Sequence, residues 1–367
     1  MPGGVSDYTQ ILAGKLADAG DEVHVWTPQI DAAREPSGNK ITIHELPGRF
    51  TPKALGILGR ALKEEKRPHR VLVQYVPHSY GMRGMNLPFA LWLKSNCPTL
   101  PWVYFHEVAF PANKHQPFRH KLLSRAQHTM ARWIARSMAR GFVSVPRWAQ
   151  YLSEVAPGTK ACEWLPVPSN VATQADAGRV AAIRGRLLSG GVDRIVGHFG
   201  TYGEDIAGDI AQTFASLLTK DSRSGILLVG RGSTEFAERL VRENREFGQR
   251  VHATGSLNPG AVAEHLLAAD VLYQPYLDGI SSRRTSAMAG LALGVPIVTF
   301  RGEATEPIWI EERIVRLVNA GDSDAACAAL IECAENNIER GEMSERARKI
   351  YEKHFSWAVV VDRLRQD

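Results

Sequence analysis

Short β-branched runs alternate with amphipathic stretches along the whole chain, and that alternation restricts the fold to parallel strands joined by crossover helices. In the first half the runs lie near 22–27, 41–46, 70–76, 101–105 and 141–145, with helical patterns over 5–19, 52–66 and 118–139. The second half repeats the scheme, with runs near 194–199, 225–229, 250–253, 271–274, 296–299 and 314–318. Between the halves, Pro166 and Pro168 block helix and ladder alike, so residues 165–170 read as a hinge. A chain of 367 residues has room for two domains of ordinary size. The expected architecture is two doubly wound α/β domains facing across a cleft.

Composition removes several function classes. Hydrophobic residues at 44% and charged residues at 23% are ordinary for a globular chain and exclude a disordered or fibrous one. The apolar runs are too short to span a bilayer, and the N-terminus lacks the pattern of a signal peptide. Cys97, Cys162, Cys327 and Cys333 lack Cys-x-x-Cys spacing, which argues against a structural zinc or a disulfide framework and for a reduced, cytoplasmic setting. Charge is uneven: residues 1–170 carry 21 Lys/Arg against 12 Asp/Glu, and residues 171–367 carry 23 against 27. Residues 108–153 hold eight cations and no acid. At helical spacing, Lys121, Arg125, Arg132, Arg136 and Arg140 share one face, with Leu123, Met130, Ile134 and Met138 opposite. Acids at i,i+4 would be expected on a plain solvated face, so the stripe suits an anionic membrane surface or a phosphate-bearing acceptor. Nucleic acid is disfavoured, because no aromatic interleaving or known module accompanies the charge.

The start of the chain departs from the pattern. A doubly wound unit opens on a strand that delivers the chain to a glycine turn and a helix. Here residues 2–5 are the turn itself, Pro-Gly-Gly-Val, followed by Ser6 or Asp7 as the helix cap. The expectation is that the first strand is missing, through a misplaced start or a truncation, with a short sheet as the alternative.

The stretch 273–299 carries most of the chemistry. A buried strand ends at Pro275, a polar loop holds Asp278 and Gly279, and a helix is expected to start near Ser282. Amides of Ile280, Ser281 and Ser282 at that helix start form an anion site, with Arg283 and Arg284 adding positive charge. Asp278 can accept hydrogen bonds from sugar hydroxyls. The plain alternative is a capped helix with solvated arginines. His106 ends a strand at its carboxyl edge beside Glu107, where ligands of such sheets bind, although a lone histidine is more often structural.

The order strand, acidic-Gly loop, small-residue helix, Gly-x-Pro, strand resembles the donor-site signature of family-4 glycosyltransferases, which have the GT-B fold of two Rossmann-like domains. Asp278 and Gly279 fall on that family's first Glu-Gly, Ala287-Met288-Ala289 on its Ala-Met-Ala, and Gly294 with Pro296 on its Gly-x-Pro. The glycine turn with Tyr8, His106-Glu107, Gly230-Arg231-Gly232, Thr254-Gly255 and Phe355-Ser356-Trp357 match in order, so the resemblance covers nearly the whole chain. It departs in two places. Ser286 replaces the second Glu, which holds the ribose, and the loop Gly200-Thr201-Tyr202-Gly203 lacks the family's diphosphate-binding Arg and Lys.

The resemblance implies an acceptor-side domain over 1–168, a donor domain over 175–345 and a final helix at 346–367 that crosses back. It also implies a retaining hexosyltransferase that needs no metal and no cofactor. The donor would be a UDP- or GDP-linked sugar and the acceptor a lipid-linked or cell-surface glycan precursor, as in polysaccharide biosynthesis. The enzyme would be cytoplasmic or peripheral on the inner face of the plasma membrane. In this reading His106, Asp278, Arg283 and Arg284 carry the reaction. Gly3, Gly4, Gly200, Thr201, Arg231, Gly279, Ile280, Ser281, Ser282, Ser286 and Glu306 bind the donor.

Two rivals use the same fold: a scaffold that has lost catalysis, suggested by Ser286 and the missing Arg/Lys pair, and a sugar-nucleotide epimerase. A dehydrogenase is disfavoured, since Glu235 stands where the third small residue of a dinucleotide fingerprint should pack.

Overall fold

The computed structural model describes residues 4–29, 40–111 and 116–366. The chain divides into two compact units, residues 1–166 with 361–367, and residues 167–360. In unit 1 the strands are β1 (Val23–Pro28), β2 (Ile41–Leu46), β3 (Leu72–Tyr75), β4 (Trp102–Phe105), β5 (Arg140–Val143) and β6 (Cys162–Trp164). Its helices are α1 (Gly4–Asp18), α2 (Pro52–Glu64), α3 (Leu87–Ser95), α4 (Phe118–Ala135) and α5 (Pro146–Val155). All pairings are parallel, but they form two sheets, β1-β2 and β3-β4-β5-β6. β4 is buried along its whole length, as the strand of a sheet covered on both faces must be.

Unit 2 carries β7 (Arg194–Phe199), β8 (Ser224–Val229), β9 (Val251–Ala253), β10 (Val271–Gln274), β11 (Ile297–Arg301) and β12 (Arg316–Asn319). They make one parallel sheet in the order β12-β11-β10-β7-β8-β9. α6 (Ala177–Leu187) precedes them, and between them run α7 (Glu204–Lys220), α8 (Ser233–Glu243), α9 (Pro259–Leu267), α10 (Thr285–Leu293) and α11 (Pro307–Glu311). The core joins Val196, Ile226, Leu228, Tyr273 and Phe300 of the sheet to Phe214, Phe236 and Leu330 of the helices.

The proline segment is tied to each unit separately. Tyr104 Oη donates to the Leu165 carbonyl at 2.7 Å within unit 1. Beyond the boundary, the Ser169 carbonyl accepts from Trp357 Nε1 at 2.8 Å within unit 2. The last residues complete unit 1: Arg70 Nη1 donates to the Leu364 carbonyl at 2.5 Å and Arg140 Nη1 to that of Gln366 at 2.7 Å.

Two sequence expectations change here. The helix over 118–139 stops at Ala135, because Ser137 N turns back to the Ile134 carbonyl and Ala139 N already bonds to Pro101 beside β4. Arg140 therefore belongs to a strand rather than to the cationic stripe. Its guanidinium grips Glu163 through two bonds of 2.6 and 3.0 Å and stacks on Trp102. That guanidinium holds the Glu163 carboxyl below its ordinary pKa. Arg132 is engaged as well, donating from Nε to the Val155 carbonyl at the end of α5.

Candidate functional site

The loops after β7, β8 and β10 meet at the carboxyl edge of the unit 2 sheet, where parallel α/β sheets collect their ligands. Gln274, the last residue of β10, donates to the Phe199 carbonyl at the end of β7 at 3.0 Å. Gly230 has φ +115°, and a methyl group there would overlap the Gly200 carbonyl, so the first two loops touch backbone to backbone. Only glycine permits that approach. Thr201 and Arg231 stand exposed on these loops.

The third loop is built differently from its sequence reading. Helix α10 starts at Thr285, not near Ser282. The Ile280 amide bonds to the Phe300 carbonyl at 3.1 Å. The Ser282 amide bonds to both Glu306 carboxylate oxygens, at 3.0 and 3.1 Å. Neither amide is left open for a diphosphate, because a buried loop must satisfy its own backbone. Glu306, placed among the donor-binding residues, instead staples two loops. It is 7% exposed and also accepts from Ser282 Oγ at 2.6 Å and Trp309 Nε1 at 2.5 Å. Burial raises its carboxyl pKa, and these donors oppose the rise. Gly279, at φ +95°, lies so close to Gly302 that a Cβ would stand 2.8 Å from its Cα. Ser281 is buried within the same loop.

Asp278 and Arg284 are brought together as an ion pair, so neither is a free group. The Arg284 guanidinium lies over the Tyr276 ring at 4.8 Å, and its Nε is buried without a protein acceptor among the described residues. Ser286, where the family pattern has a ribose-binding acid, sits 2.7 Å from Tyr276 Oη. Arg283 is half-buried beside Arg284.

Sequence reasoning missed His198, two residues ahead of Gly200 in β7. It is 1% exposed; Nδ1 meets the Tyr273 carbonyl at 2.8 Å, and Nε2 has no partner among the described residues. Burial lowers its pKa to about 4, so the ring is neutral. A histidine two residues before a strand-end glycine is the signal that could have found it.

In unit 1, His106 follows β4. Nε2 lies 2.7 Å from Gln74 Oε1, the ring packs against Tyr8 and Tyr104, and burial lowers its pKa to about 3. A neutral imidazole there can form hydrogen bonds but carries no charge. Gly4 is the exposed first residue of α1, and Gly3 lies outside the described residues. Among the described residues, no group of three or more His, Cys, Asp or Glu is placed to hold a metal.

Residues 3–162 match the model of the glycosyl transferase 4-like domain, and residues 193–336 that of the glycosyl transferases group 1. No curated protein sequence matches the chain. Among solved structures, the chain is similar to WaaG, a glycosyltransferase involved in lipopolysaccharide biosynthesis, at 14% identity and a TM-score of 0.68, over 100% of this chain and 97% of that one. It is similar to the sucrose-phosphate synthase of Thermosynechococcus elongatus at 17% identity and a TM-score of 0.70, over 99% and 92%. It is also similar to Anabaena HepE in complex with UDP and glucose, at 12% identity and a TM-score of 0.68, over 99% and 95%. At such identities the likeness is one of fold.

Proposed function

We propose, from the premise that the chain belongs to the family-4 glycosyltransferases of GT-B fold, that it moves a hexose from a nucleoside-diphosphate sugar to an acceptor with retention and without a metal. The observation that carries this reading is the loop cluster at the edge of the unit 2 sheet, where Arg283 and Arg284 stand beside a carboxylate. A UDP-linked donor is supported by the fold neighbour HepE, described with UDP-glucose.

In the reaction, the bond from the sugar's anomeric carbon to the diphosphate breaks. A bond to the acceptor oxygen forms on the same face, and the acceptor's proton passes to the departing diphosphate. The growing negative charge requires positioned cations, an electrostatic role of the oxyanion-hole kind. Arg283 supplies one. Arg284 supplies the other by exchanging Asp278 for phosphate, which frees the Asp278 carboxylate for sugar hydroxyls. His106, held neutral, orients the sugar through hydrogen bonds.

Arg283→Ala and Arg284→Ala test the reading with UDP-glucose and GDP-mannose as donors. Each should lower turnover roughly 30- to 1000-fold, the equivalent of about 2–4 kcal/mol in the transition state. Stability should change by less than about 1 kcal/mol, since the Arg284 pair is partly exposed. Wild-type rates in both variants overturn the diphosphate role. No turnover by the wild type with any nucleotide sugar supports the scaffold instead, and an epimerised donor without acceptor supports the epimerase.

On the acceptor side, Phe118 is 78% and Leu122 51% exposed at the start of α4, beside Arg119, Lys121 and Arg125. Apolar side chains among cations favour a lipid-linked acceptor approached at an anionic membrane surface. No described helix is long and apolar enough to cross a membrane.

A further inference from the structure

The outer corner of the unit 2 sheet, where β12 meets α11, holds a cavity of about 480 Å³, a size that suits a small molecule. β12 is the last strand on that side, and β11 and β10 separate it from β7. At about 4.8 Å between neighbouring strands, β12 lies about 14 Å across the sheet from β7 and the Gly200 loop. The cavity's lining includes none of the residues placed at the candidate donor site. Trp309, Ile310, Val315 and Leu317 give it an apolar side, and Ile310 is 40% exposed. Arg301 and Arg313 line it as well.

Arg313 stands where a side chain is costly. Helix α11 ends at Glu311 with Glu312 as its cap, and the next residue, Arg313, turns left-handed at φ +49°. Glycine meets that position without strain, whereas a Cβ crowds the neighbouring carbonyl. No contact of the Arg313 guanidinium offsets the strain, because it is exposed and has no acceptor among the described residues. The bond at this turn is made by the Arg313 carbonyl, which accepts from Arg346 Nη1 at 3.0 Å. Arg301, the last residue of β11, is also exposed and without an acceptor among the described residues.

Acids are present at this corner but engaged elsewhere. Arg316 on β12 bonds to Glu332 at 2.9 Å. Asp322, which also lines the cavity, caps α12 (Ser323–Glu335) by accepting from the Ala325 amide at 2.9 Å. Two guanidinium groups therefore stand beside an apolar wall with no carboxylate paired to either. Guanidinium forks match the planar geometry of carboxylates and the oxygens of phosphates.

We propose that this cavity binds a small, soluble amphipathic anion, a carboxylate or phosphate monoester on a short hydrocarbon body. Arg301 and Arg313 take the head, and Ile310 and Leu317 lie against the body. The site does not depend on the sugar chemistry and stands if that reading fails.

The test is calorimetric titration of the full chain at low salt with hexyl phosphate and hexanoate, against inorganic phosphate, acetate and hexanol. One of the two amphipathic probes should bind saturably, once per chain, and at least tenfold more tightly than any of the three controls. Arg313→Gly removes the guanidinium and relieves the left-handed turn, so it should bind at least tenfold more weakly while melting no lower than the wild type. Arg301→Gln should weaken binding by a similar factor. No saturable binding of either probe overturns the proposal, and so does unchanged binding in either variant, which would place the anion elsewhere on the chain. Equally tight binding of inorganic phosphate or acetate overturns the amphipathic class. Displacement of the probe by UDP assigns it to the donor loops and overturns the separate site.

Discussion

The two units of this protein come from the same alternation of strand and helix and end differently. In unit 2, six parallel strands close into one ladder with β7 and β10 at its centre. In unit 1, six strands divide into two and four, and every described residue of β1 stays partly exposed or more. The difference shows that periodicity specifies each strand–helix unit, while closure of the sheet depends on whether each central edge finds a neighbour. The unit with its ladder complete also holds the loops that converge on the candidate donor site.

The largest expected effect should confine itself to unit 2. Gly230→Ala combines a left-handed backbone with an overlap on Gly200 and should cost about 3 kcal/mol. Urea unfolding followed by the fluorescence of Trp309 and Trp357 should shift, while the transition of unit 1 stays in place; a shift in both would mean that the units do not unfold separately.

Acid offers a matched pair of probes, one buried histidine per unit. His106 and His198 have folded pKa values lowered to about 3 and about 4 from 6.5. The unfolded chain takes up these protons first, so stability is complete above pH 6.5 and falls as pH drops toward the folded values. Each unit should lose about 2 kcal/mol between pH 6.5 and 5. His198→Gln should flatten that slope in unit 2 alone, and an unaltered slope would show that another group governs it.

A smaller effect is expected from Glu306→Gln, which keeps one acceptor and turns an NH2 toward a donor, at about 1–2 kcal/mol. Reduced stability with turnover intact would identify Glu306 as the staple the geometry describes. Unchanged stability with lost turnover would return it to the donor. The smallest stability effect, under about 0.5 kcal/mol, belongs to the pair Arg119→Glu and Arg125→Glu on the exposed face of α4. Their readout is binding to vesicles of phosphatidylserine and phosphatidylcholine, which should weaken with the charge reversal. Equal binding to neutral vesicles would remove the membrane reading.

Much of the fold was legible because strand and helix periods are local. The proline segment was legible for the same reason. Pairing between strands is not local, so no periodicity reported the division of the unit 1 sheet. In the candidate site, the loop of Asp278 and the arginines stood out by residue type, but the partners of its amides did not. The acceptor for Ser282 is Glu306, 24 residues away, and no spacing rule reports that contact. Arg140 was misplaced because a helical wheel continues past a helix end, whereas the ladder beside β4 had already begun at residue 139.

Residues 361–367 belong to the unit formed by the chain's beginning. During synthesis, the 194 residues from 167 to 360 must therefore be added before Arg70 and Arg140 meet their last carbonyl acceptors. At about 5–20 residues per second, that interval is about 10–40 s. Over that time the first unit waits on the ribosome with its closing segment unmade and its strand edges open. The second unit, continuous in sequence, can finish folding as soon as it emerges, so the later half of the chain is expected to mature before the earlier one.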